Sequence, residues 1–325
     1  MKGLGFYIYM LKWKGGQLPA PPVTARILKD VGAKWVSIKV ADRDGAYNQI
    51  GGNDKILREY VNAIKDQDIE VGGWHYVYPE NPGPQGARAA ERIEKLGLEH
   101  LVINAEKEWK NVTGAKRKVE MYLDNLGAKK NFPVGLTTYR YPKLHPEFPY
   151  TQFLNRPAVT FNQPQVYWVG THSPALQLKV SYAQYQDITD KPFLPIGSIY
   201  NWGDWLPTQD DVKEFMLACK TSGFPAYGFY SFDWIMRNEK YEYLETIAGK
   251  PITITEPPKT NKYVITNCYA LNFRNAPNGS IVHASLRAST GFVLEATGKI
   301  SGNWRQVLIN DIPVWAHGYY LKQVD

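Results

Sequence analysis

Short apolar runs alternate with amphipathic stretches over the first 250 residues. That alternation marks repeated βα units. Eight runs read as strands: residues 5–10, 35–41, 70–78, 101–105, 133–138, 165–169, 193–200 and 226–232. Between them, 54–65 carries Ile56, Leu57, Tyr60, Val61 and Ile64 at helical spacing, and 116–126 does the same with Val119, Tyr122, Leu123 and Leu126. A shorter helical pattern covers 88–96. Residues 209–221 open on Asp210 and Asp211, as the helix dipole favours, and Gly223 and Pro225 close them. The loop after the fifth strand, 141–149, is proline-rich, and its helix is indistinct. Eight such units in about 250 residues predict an α/β protein, a closed (β/α)8 barrel of the TIM type. An open doubly wound sheet usually carries a glycine-rich phosphate turn after its first strand. Here that strand runs into Lys12-Trp13-Lys14-Gly15-Gly16, which does not match GxGxxG.

The pattern changes near Lys250. Residues 251–261 are rich in Pro and Thr and read as an extended linker. Residues 262–325 show short strands, a turn at Asn275-Ala276-Pro277-Asn278-Gly279 and no helical spacing, which predicts a small all-β barrel. The expected division is therefore a barrel over 1–250, a linker and a small domain over 262–325.

Composition adds little to the fold and more to the chemistry. The chain has 325 residues, 44% hydrophobic and 21% charged, close to globular averages. Aromatic residues make up 14%, including 22 Tyr and 10 Trp. They suit either large cores or a surface on which sugar rings stack. The net charge of +7 points to anionic partners such as wall polymer. The charge is scattered, and no nucleic-acid module is recognisable. Cys219 and Cys268 lie on opposite sides of the expected boundary, so two free thiols are expected, with no metal site and no cofactor. No apolar run is long enough to span a membrane. The first residues read as a strand rather than a signal peptide.

In barrels of this kind the active site lies at the C-terminal ends of the strands. The fourth strand ends in Asn104-Ala105-Glu106-Lys107-Glu108. By strand alternation, Asn104, Glu106 and Glu108 share the face of Val102. A carboxylic acid beside a second polar group is what glycosidic cleavage requires. Consecutive same-face positions lie roughly 6–7 Å apart, between the retaining and inverting separations. Glu106 is the expected general acid, with Asp233 and Asp42 as its preferred partners and Glu108 as a further candidate; Glu80 and Asp204 project to the same rim. Trp74, His75, Tyr139, Trp168, Tyr200, Trp202 and Trp234, together with Asn104, are expected to contact substrate. Arg140 suits an anionic group.

The C-terminal segment Ala270-Leu271-Asn272-Phe273-Arg274-Asn275-Ala276-Pro277 resembles the "LNVRSGPS" signature of bacterial SH3 domains. Gly302-Asn303-Trp304-Arg305-Gln306-Val307 resembles their "GWxKV" strand, and 314–321 resembles their "GWVxxxYL" close. The resemblance implies binding to peptidoglycan or its cross-bridges, with Tyr269, Trp304, Trp315 and Tyr319 forming an aromatic groove. The fourth barrel strand resembles the "DxE" strand of glycoside hydrolase family 25, the lysozymes of phage and bacteria. In that family the glutamate is the proton donor, and it corresponds to Glu106. The family's aspartates are replaced by Asn104 here and, in the first strand's "GIDVS" setting, by Tyr7. The resemblance implies a muramidase-like endolysin; a monomer that acts on the cell wall after lysis or as part of a virion is expected. The alternative is an inactive barrel that binds wall glycan.

Overall fold

The computed structural model describes residues 1–127, 132–252, 254, 262–266, 268–282, 287–309 and 312–324. The chain divides into two compact units, Met1–Thr253 and Ile254–Asp325. Of the expected linker, residues 253 and 255–261 lie outside the described residues.

The first unit is a (β/α)8 barrel. Its strands are β1 (Gly3–Ile8), β2 (Trp35–Asp42), β3 (Glu70–Tyr76), β4 (Leu101–Asn104), β5 (Val134–Thr137), β6 (Phe161–Asn162), β7 (Ile196–Ser198) and β8 (Ala226–Tyr230). Each pairs in parallel with the next from β1 to β6, and β8 pairs with both β7 and β1. The seam between β6 and β7 closes through the bridges Asn162↔Phe193 and Gln165↔Ile196. There Leu194 N donates to Asn162 O at 2.8 Å and Ile196 N donates to Pro164 O at 3.0 Å. Pro164 has no N–H to donate across to β7, so the ladder is interrupted at this seam. This corrects the sixth strand: the residues expected to form it, 165–169, follow the observed strand and contribute only bridges.

Helices α1 (Pro21–Asp30), α2 (Lys55–Lys65), α3 (Pro82–Leu96), α4 (Ala115–Leu126), α5 (Tyr150–Leu154), α6 (Pro174–Gln186), α7 (Gln209–Thr221), α8 (Phe232–Arg237) and α9 (Glu242–Ala248) cover the barrel. The α2 stripe buries Leu57, Tyr60, Val61 and Ile64, as its spacing predicts. The third helix starts six residues before the predicted one, on Pro82. Its early turns rest on Gly86, where a Cβ would lie 2.2 Å from Tyr122 O of α4. Helix α7 opens with a capping box between Thr208 and Asp211.

Large rings fill the barrel interior because glycines on neighbouring strands leave room for them. Trp35 of β2 lies against Gly5 of β1 and Gly228 of β8, where added Cβ atoms would meet its ring at 2.0 and 2.7 Å. Tyr7, Trp74, Val102, Phe161 and Ile196 complete this inner layer.

The second unit has a five-stranded antiparallel sheet in the order Ile312–His317, Trp304–Ile309, Val293–Ser301, Lys262–Ile265, Leu321–Val324, with a separate pair, Ala270–Asn272 and Arg287–Ser289. Leu271, Phe273, Leu294, Val307, Val314 and Ala316 form its core. The turn expected at 275–279 is present, with Gly279 N donating to Ala276 O at 2.9 Å. Trp315 and Trp304 stand on the face opposite Val314 and Val307, both half-buried. Trp304 packs edge-on against His317 under the Arg274 guanidinium. Tyr269 and Tyr319 are 97% and 67% exposed, so neither fills the core. Both cysteines are free.

Candidate active site

Successive side chains of a strand point alternately into and out of the barrel. The inward series ends, at the C-terminal side, around a cavity of about 570 Å³. Nine of its fifteen lining residues are Tyr or Trp, and the others are Lys39, Asp42, Asn104, Glu106, Thr137 and Gln165. Flat rings with a few convergent polar groups suit a carbohydrate better than a phosphate.

Glu106 stands two residues beyond the end of β4, half-buried and facing this cavity. Its Oε1 accepts a hydrogen bond from Gln165 Nε2 at 2.9 Å, and the same nitrogen donates to Asn104 Oδ1 at 3.2 Å. Tyrosine rings surround the carboxyl. Burial, and after it the charge of Glu106, pushes the phenols of Tyr76, Tyr139 and Tyr200 upward, that of Tyr200 to about 12. These hydroxyls therefore remain protonated donors at neutral pH.

A second polar group on the cavity wall comes from β2. Lys39 lies on the same strand face as Trp35, and its ammonium is buried among the rings of Tyr9, Tyr47 and Trp74 at 4.2–5.1 Å. It pairs with Asp42 Oδ2 at 2.6 Å, while Asp42 keeps a third of its side chain exposed. Among the expected residues, the structure thus brings Glu106, Asp42, Asn104, Trp74, Tyr200 and Trp202 to one cavity. Trp202, 66% exposed, forms an open ring at its edge.

Other expected site residues lie elsewhere. His75 alternates with Trp74 and therefore points outward. It is fully buried between Arg43 O (2.6 Å) and the Tyr122 hydroxyl (3.0 Å), and burial pushes its imidazole down to about 4. Trp168 is fully buried against Phe215 of α7. Trp234 is buried in α8, where its indole N–H donates to Asn201 Oδ1. Asp233 is not available as a partner for Glu106. Its carboxylate accepts from Tyr9 N at 2.8 Å and Met10 N at 3.2 Å, which fixes the chain leaving β1. Burial raises the Asp233 carboxyl against these bonds. Glu108 does not continue the β4 face, because the chain turns into a short 3-10 helix at Lys107–Trp109. Glu108 Oε2 accepts from the Tyr76 hydroxyl at 3.0 Å, beside the cavity rather than on its wall. Tyr139 packs on His145 and also lies outside the lining. Glu80 and Asp204 are exposed and do not line the cavity. Arg140 donates to Tyr167 O.

Sequence reasoning missed Gln165, Lys39 and Tyr167. The signal for Lys39 was its spacing from Trp35 by an even number of residues. The late placement of the sixth strand hid the alternation of Gln163, Gln165 and Tyr167.

A second acid–base cluster sits at the opposite, N-terminal end of the barrel. Ser37 Oγ lies 2.6 Å from His100 Nε2, and His100 Nδ1 lies 2.8 Å from Glu70 Oε1. His100 reaches Ser37 across Gly72, where a Cβ would meet the imidazole at 2.1 Å. Ser37 and His100 are fully buried.

No protein-family model matches the chain, and no curated protein matches it significantly. Among solved structures it is similar to an endo-1,4-beta-D-mannanase from Thermotoga petrophila RKU-1, with TM-score 0.50 and 10% identity over 71% of this chain and 88% of that one. It is also similar to the catalytic domain of a family GH18 chitinase from the fern Peteris ryukyuensis, with TM-score 0.51 and 16% identity over 76% of this chain and 98% of that one. At these identities the likeness is one of fold. The barrel has the architecture on which these glycoside hydrolases are built.

Proposed function

We propose that the chain is a glycoside hydrolase acting on a cell-wall glycan, with peptidoglycan as the substrate and Glu106 as the general acid. The observation that carries this reading is the half-buried carboxyl of Glu106 beyond the end of β4, opening into a cavity walled by Tyr and Trp. The rings hold sugar faces. Glu106 protonates the glycosidic oxygen as its bond to the anomeric carbon breaks. Asp42, which shares the cavity, supports the developing positive charge or activates the attacking water. The family 25 resemblance favours a muramidase-like endolysin, although its aspartate positions hold Tyr7 and Asn104. The SH3-like resemblance of the small unit favours anchoring to the wall through Tyr269, Trp304, Trp315 and Tyr319. A monomer that reaches the wall after lysis or on a virion fits the same reading.

The deciding experiment is release of reducing ends from purified peptidoglycan by the wild type and by Glu106→Gln. The expected result is release by the wild type that falls at least about a hundredfold in the variant, the scale of general acid catalysis. If neither protein releases sugar while both pellet with the wall, the hydrolase reading is lost and a glycan-binding barrel remains.

A further inference from the structure

The side chain that grips Glu106 has no part in the bond-breaking steps above. Both N–H bonds of the Gln165 amide are used: one reaches Glu106 Oε1 at 2.9 Å and the other reaches Asn104 Oδ1 at 3.2 Å. The Gln165 backbone is itself fixed at the seam where the barrel closes. Its N–H donates to Thr138 O at 2.9 Å, and bridges join it to Tyr139 on one side and Ile196 on the other. A residue anchored to the β5 and β7 sides of the seam thus reaches across to the carboxyl that follows β4.

We propose that Gln165 is the positioning residue of Glu106, tying down Oε1 so that Oε2 is the oxygen that carries and delivers the proton. This rests on the hydrolase reading of the same site. A carboxyl oxygen that already accepts an N–H in its plane is a poor place for a proton, so the acid form carries it on the other oxygen. The groups around Glu106 act differently. Tyr76 from β3, Tyr139 after β5, Tyr167 after β6, Tyr200 after β7 and Tyr230 from β8 are neutral phenols within its electrostatic reach. Glu108, on its own segment, is engaged by Tyr76, and Arg140 lies near Tyr200. Among the described residues, Gln165 supplies the side-chain hydrogen bond to this carboxylate.

The test uses the full chain as wild type, Gln165→Leu and Gln165→Glu, each checked for folding by circular dichroism. Two readouts are needed. The first is the titration midpoint of the Glu106 carboxyl by carbon NMR, which requires no activity. It should rise by about one pH unit in Gln165→Leu, where the donor is lost, and further in Gln165→Glu, where a like charge replaces it. The second is reducing-end release against pH. In Gln165→Leu, kcat should fall about tenfold with KM nearly unchanged, and the alkaline limb should move with the midpoint. Unchanged midpoints in both folded variants overturn the proposal, as does a moved midpoint with full kcat in an active enzyme. A moved midpoint in a protein whose wild type releases no sugar upholds the Gln165–Glu106 contact and overturns the hydrolase reading instead. If Gln165→Leu fails to fold, the near-isosteric Gln165→Glu carries both measurements.

Discussion

At the C-terminal end of the barrel, Glu106 meets Gln165 in a cavity of about 570 Å³. At the N-terminal end, Ser37, His100 and Glu70 form a hydrogen-bonded chain that would serve a nucleophile, a base and an orienting acid equally well on paper. Read by residue type alone, the second cluster is the more convincing catalytic set. Its serine and histidine are fully buried, however, and neither lines the cavity at the open end. A reacting bond cannot reach Ser37. The contrast teaches that access decides which acid–base group can act on a substrate. The buried cluster instead ties β2, β3 and the start of β4 together.

The comparison can be broken in several ways. The largest expected effect is on turnover. Glu106→Gln should remove at least about 99% of sugar release with no shift in thermal midpoint, while Ser37→Ala should keep wild-type turnover. An inactive Ser37→Ala protein that remains fully folded would reverse the roles assigned to the two ends. Next comes stability. His100→Ala leaves a void and removes the partner of both Ser37 and Glu70, and should cost about 3 kcal/mol in urea unfolding. Gly72→Ala should cost about 1–3 kcal/mol, because its methyl would occupy space taken by the His100 ring. Both should leave kcat per folded molecule intact.

The two ends also separate by pH. Burial holds the His100 imidazole below its ordinary value, against the pull of Glu70, and the hydrogen bond and charge of His100 hold Glu70 low despite its own burial. The unfolded chain therefore binds more protons than the folded one as pH falls. This contribution to stability is complete above about pH 6.5 and is lost as pH drops through the lowered folded values. His75, pushed down to about 4 by burial, adds a loss of the same sign. Urea midpoints measured from pH 8 to pH 4 should fall, and His100→Gln should flatten part of that fall. The smallest effect should come from Trp202→Ala, where loss of an open stacking face should raise KM about threefold to tenfold with kcat retained. An unchanged KM would remove Trp202 from the substrate path.

Glu106 was legible because it ends an apolar run: an acid that follows four buried strand residues is conspicuous in any phase. His75, Trp168 and Asp233 were expected at the same rim because each stands near a strand end. Which way a strand-end side chain points depends on the phase of the strand against its neighbours. One residue separates Trp74, on the cavity wall, from His75, sealed against α4.

The sequence by itself determined the barrel class, the βα repeat, the helix stripes and the texture change near Lys250, since burial periodicity and turn chemistry act over a few residues. Tertiary structure alone decided that the closing seam lies at Asn162 and Gln165, that Gln165 grips Glu106, and that the Ser37–His100–Glu70 set is closed to substrate. Each of these joins residues far apart in the chain, brought together by strand pairing and by the space that glycines leave. No local pattern encodes that space.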